Sequence, residues 1–138
     1  MTCAFAWPLQ QALFAALRSR PDVAALATGG VHDAPPHAGE GAPGPYVLLG
    51  DETVEPWGAA DARGAAHLVQ ISVIGPDHGF AALKRLAAIV CDVGLGPLSL
   101  SRGRVVVSHF LGARARRVEA HGLRQIEMRL RIVIEDEN

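Results

Sequence analysis

The chain has 138 residues, 49% of them hydrophobic, with 13 Lys+Arg against 14 Asp+Glu and a net charge of −1 with neutral histidines. That length fits one domain spanning 1–138, and the composition excludes a disordered chain, while the charge balance excludes the strongly basic footprint of an autonomous nucleic-acid binder. Cys3 and Cys91 stand too far apart in sequence to outline a disulfide framework or a zinc site, and no apolar run approaches the ~20 residues of a membrane span.

No basic segment precedes Trp7, so no export signal and a cytoplasmic origin are expected. After Pro8, the residues Leu9, Ala12, Leu13, Ala16 and Leu17 recur at helical spacing. Pro21 ends that helix, Asp22 is placed to cap a short second piece with Val23 and Leu26, and Gly29-Gly30 closes it. Residues Ala34 to Pro45 hold four prolines and read as a loop. Tyr46 to Leu49 reads as a strand and Asp51 to Gly64 as a polar, irregular loop. From His67 to Ile74, alternating Val69, Ile71 and Val73 predict a strand with one buried face, broken by Gly75-Pro76. Asp77 is positioned to cap a helix with Phe80, Leu83, Leu86, Ala87, Val90 and Cys91 on one stripe. A turn-rich stretch from Gly94 to Gly103 precedes a strand over Val105 to Leu111. Ile126, Met128, Leu130, Ile132 and Ile134 then alternate with mostly polar residues, the period of a strand with one face on a core. The order predicts an α+β fold: a two-layer domain whose mainly antiparallel sheet carries two main helices on one face.

Motifs for chemistry are weak. Gly39 to Gly44 matches G-x-G-x-x-G by letter, but a proline-rich loop precedes it and a strand follows, the reverse of the context a pyrophosphate needs. The six histidines (32, 37, 67, 78, 109, 121) show no metal-ligand spacing, and His67 and His109 on strands read as structural. Ser99, Ser101 and Ser108 lack a nucleophile elbow. The acidic groups Asp51-Glu52-Glu55 and Glu135-Asp136-Glu137 read as solvated ends, since no glycine-pinned loop sets cation geometry. No catalytic, cofactor-binding or metal-binding residue is assigned, and no enzymatic activity is expected.

Charge is divided along the chain. Residues 21–62 carry Asp22, Asp33, Glu40, Asp51, Glu52, Glu55 and Asp61 with no Lys or Arg. Residues 102–131 carry eight arginines, among them Arg114, Arg116 and Arg117, against Glu119 and Glu127. Either the two stretches pair within the molecule or they meet between copies head to tail. Trp57 lies in the acidic stretch, where a bulky ring either covers its own core or anchors a partner.

Taken in order, these pieces resemble the tail terminator (tail-completion) proteins of long-tailed phages and gene transfer agents. The pieces are Leu9 to Leu17 with Pro21-Asp22-Val23, Val31-His32-Asp33 before a Pro-rich loop, Pro45 to Gly50, Trp57, Gly64 and the strand from His67. The second helix, Leu98-Ser99-Leu100, a Val-rich strand, Arg114, Arg117 and a final alternating strand complete the likeness. Glu119-Ala120-His121-Gly122 stands where relatives tend to have an Asp-Gly turn. The resemblance implies a hexameric ring that caps the tail tube, contacts the tube protein and the head–tail stopper or another neck protein, and passes double-stranded DNA without reading its sequence. It implies a protein free in the cytoplasm during assembly and later part of the particle, with no membrane and no cofactor. The subunit and partner contacts expected are Trp57, Asp51, Glu52, Glu55, Asp61, Arg114, Arg116 and Arg117. Another neck protein, a stopper or adaptor, is the neighbouring reading; a small ligand-binding domain or enzyme is the reading from a different class.

Overall fold

The computed structural model describes residues 3–35, 44–58, 63–76, 79–118 and 122–136. The expected Asp61 contact, the Asp77 cap, the 119–121 turn, the histidines 37, 78 and 121, Glu137 and most of the 34–45 loop lie outside these residues.

Helix α1 covers Ala6–Arg18 and buries Leu9, Leu13 and Leu17, one stripe at four-residue spacing. Pro21 does more than end it: it opens helix α2, Pro21–Leu26, after an extended Arg20, the conformation favoured before proline. Asp22 is not the cap of α2. It lies in the first turn, where its carboxylate accepts from Arg20 Nη2 at 2.8 Å and from the Val23 N–H at 3.0 Å, and the Arg20 hydrogen bond holds its carboxyl below the usual range.

The five strands are β1 (Val31–His32), β2 (Tyr46–Trp57), β3 (Gly64–Pro76), β4 (Arg104–Val118) and β5 (Leu123–Glu135), with helix α3 (Ala81–Leu95) between β3 and β4. They form one sheet in the order β1-β2-β3-β5-β4. The β1–β2 pair is parallel and every other pair antiparallel. On β5 the residues Ile126, Met128, Leu130, Ile132 and Ile134 are buried, and Val73, Ile71, Val69, His67 and Ala65 of β3 stand directly opposite. This face joins Leu9, Leu13 and Leu17 of α1 and Leu83, Leu86 and Val90 of α3 in a single core. The helices thus cover one face of the sheet, as the periodicities predict. Close approach of α3 needs a glycine: a Cβ on Gly94 would lie 2.6 Å from Leu130 Cδ1.

Three boundaries differ from the sequence reading. The segment from Asp51 to Trp57 is not loop but the second half of β2, paired from Glu52↔Val69 to Trp57↔Gly64. It reads as loop because a bulge between Leu49 and Glu52 interrupts the alternation and because charged residues line its free side. Strand β4 continues past Leu111 to Val118, so Arg114, Arg116 and Arg117 lie within it; Ala113-Arg114-Ala115-Arg116 is itself a period-2 pattern on an exposed strand. Helix α3 runs through Gly94 to Leu95, and its N-cap position is Phe80, without a side-chain cap bond.

Candidate functional site

The expected contact residues that are described fall on the two opposite edges of the sheet. On one side, β1 covers only Val47 and Leu48 of β2, with the Val47 N–H donating to Gly30 O at 2.9 Å. Beyond the bulge at Gly50 and Asp51, no strand among the described residues pairs with the outer side of β2. This half-strand carries Asp51, Glu52 and Glu55 and no base. Pro56 sits in it, a residue tolerated on an edge strand whose N–H side faces solvent.

The bulge changes what Glu52 does. It flips the parity of β2, so that Val47, Leu49, Glu52 and Val54 share the helix-side face. Glu52 therefore turns inward, and His67 Nδ1 donates to its Oε2 at 2.5 Å. His67 is fully buried, and its Nε2 has no hydrogen-bond partner among the described residues. Glu52 thus serves the fold through His67 while remaining open to solvent on the acidic edge with Asp51 and Glu55. Trp57, on the opposite face of β2, lays its ring over Gly64, where an added Cβ would come within 2.7 Å of Trp57 Cε3. Its ring is half-buried on its own sheet and half open.

The other edge is β4, which among the described residues pairs with β5 alone. It carries Arg104, Arg114, Arg116 and Arg117 and no acid. Arg116 is paired with Glu127 of β5 at 3.0 Å, Arg104 with Glu135, and Arg117 stands opposite Arg124, whose guanidinium lies 4.5 Å from the centre of the Phe80 ring. Between Arg104 and Arg114 the edge is apolar and uncovered: Val106, Val107, Phe110 and Leu111 are exposed, Phe110 by 51%. Two bulges, at Val106 and Leu111, turn this segment out of simple alternation, which hides it from a reading of the sequence. Trp7 on α1 is a second uncovered aromatic, 62% exposed.

The acids of the β2 edge, Asp51 and Glu55, and the arginines 114, 116 and 117 of β4 are not brought together within one copy. Reading across the rows, Trp57, Gly64, Glu135 and Arg104 stand at one end of the sheet, and Val47, Val73, Ile126 and Ala115 near the other. Asp51 to Trp57 therefore occupies one end of one edge, and Arg114 to Arg117 the far end of the other.

Little here points to reaction chemistry. Among the described residues no cluster of His, Cys, Asp and Glu could hold a metal ion. Burial pushes the Cys91 thiol up, away from thiolate reactivity. A groove of about 240 Å³ lined by Asp51, Thr53, Leu68, Gln70, Leu111 and Arg129 crosses the sheet, with no serine, cysteine or histidine in its lining. No helix among the described residues is long and apolar enough to cross a membrane.

The family model for tail completion protein gp17 matches residues 11–135. The chain belongs to this family. Gp17-type tail completion proteins are structural phage tail proteins. Among solved structures, a chain in the "Virion of native gene transfer agent (GTA) particle" is similar at 42% identity and TM-score 0.83, over 96% of this chain and 98% of that one. The gp17 protein of bacteriophage SPP1 shares the fold at TM-score 0.60 and 18% identity, over 96% of this chain and 92% of its own. No curated protein sequence matches.

Proposed function

We propose that this tail completion protein is a tail terminator: copies close head to tail into a ring that caps the tail tube of a phage-like particle and joins it to the neck. The observation that carries the reading is the 42% identity, over nearly the whole of both chains, to a chain of a gene transfer agent virion. A ring needs two different patches on every subunit. The subunit offers them on opposite edges: Asp51 and Glu55 beside Trp57 on β2, with Asp61 following in sequence, and Arg114, Arg116 and Arg117 on β4. Exposed charges contribute only ~0–1 kcal/mol each, so the acidic and basic edges steer the approach of copies and set assembly rate, while affinity comes from apolar anchors such as the open half of the Trp57 ring. The tube protein and the head–tail stopper are the partners above and below the ring, and double-stranded DNA passes through its lumen without sequence recognition.

Removing the protein from producing cells tests the role. Uncapped, overlong tubes and heads without tails are the expected products. Tails of normal length joined to heads contradict it.

A further inference from the structure

We propose that neighbouring copies join by sheet addition, the apolar segment of β4 in one copy pairing antiparallel with the bare half of β2 in the next. The proposal rests on the head-to-tail association above and names its seam.

Strand direction makes the pairing natural. β4 is antiparallel to β5, β5 to β3, and β3 to β2, so β4 and β2 run in opposite senses at the two edges of one sheet. A rotation axis lying along the strands preserves each strand's sense. The β4 edge then meets the next copy's β2 antiparallel, with no strand reversed, and backbone groups left bare at both edges complete each other's ladder.

Height along the strands agrees as well. Val107, Val133, Ala66 and Glu55 share a row, as do Ala113, Met128, Ile71 and Leu49. A level seam therefore sets Val107–Ala113 against Leu49–Glu55, the part of β2 that β1 leaves uncovered and that ends before Pro56, which cannot donate. Phe110 shares a row, through Leu130 and Val69, with Glu52 on the helix-side face, beside half-buried Val54. Its exposed ring thus gains an apolar neighbour across the seam. Charge fits: β4 holds no acid and β2 no base. A long, uncovered, apolar edge strand on a lone subunit templates unwanted pairing, and a dedicated acidic partner edge is what restrains it. The level seam also carries Arg114 to Arg117 toward the next copy's β1 and Asp33, not toward Asp51 and Glu55.

Cysteine pairs read the seam directly. In a Cys3→Ser, Cys91→Ala background, Val107→Cys is combined in separate variants with Thr53→Cys and with Glu55→Cys. Within one copy the Val107 and Glu55 positions are three strand spacings apart, roughly 14 Å, too far for a disulfide. Covalent multimers on oxidation of at least one pair are therefore intermolecular and are the expected result, with no multimers from Arg116→Cys plus Glu55→Cys. Phe110→Ser should raise the concentration for half-assembly about tenfold or more at an unchanged melting temperature, with Phe110→Leu close to wild type. Assembly by light scattering without a crosslink from either test pair overturns the seam alone. A wild-type chain that stays monomeric at high concentration and on tail tubes overturns the head-to-tail reading beneath it.

Discussion

His67 and Glu52 show how one residue's position in a strand decides whether a charge serves the surface or the fold. The imidazole is fully buried, its Nδ1 is 2.5 Å from the Glu52 carboxylate, and its Nε2 has no partner among the described residues. Removing the carboxylate leaves both ring nitrogens dry, at a cost of about 1–3 kcal/mol. Glu52→Ala should lose that much by urea denaturation, and His67→Leu added to it should lose much less than the sum of the two single changes. A stability change near zero for Glu52→Ala would mean that its contact with His67 does not support the fold. The sequence displayed both residues but not their meeting. They are 15 positions apart, and only the bulge after Leu49 brings the carboxylate to the inner face.

At the scale of elements, β5 was legible and the second half of β2 was not. β5 lies inside the sheet with one face against helices, so its apolar residues recur with a clean period of two. β2 has one bare side and a parity change in its middle, so the same backbone conformation carries a broken pattern and three acids. The length of β4 was hidden likewise by two bulges and by arginines that face water. The core pairing of α3 with β5 makes two predictions. Leu130→Ala should destabilise by roughly 2–5 kcal/mol, the usual cost of emptying a core leucine site. Gly94→Ala should also destabilise, although alanine is the better helix former. The new Cβ meets the fully buried Leu130 at 2.6 Å, and overpacking of about 1–3 kcal/mol outweighs a helix-propensity gain of at most ~1 kcal/mol. A rise in melting temperature for Gly94→Ala would mean that α3 stands further from β5 than described.

For the molecule as a whole, near-neutral total charge conceals an acidic and a basic edge on opposite sides of one sheet. In a ring formed through these edges, the charges are spent largely on the neighbours. With a net charge of −1, the free protein should bind duplex DNA only weakly and without sequence preference, with affinity falling at least about tenfold between 50 and 200 mM salt. A sequence-specific footprint at physiological salt would contradict a lumen that lets DNA pass. In the proposed role, this chain closes a tail by joining copies of itself edge to edge. Electron cryo-microscopy of purified particles should show a closed ring of this chain between tube and neck, its sheets continuous from β4 of one copy to β2 of the next. A single copy at that junction, or density for this chain elsewhere in the particle, would contradict it.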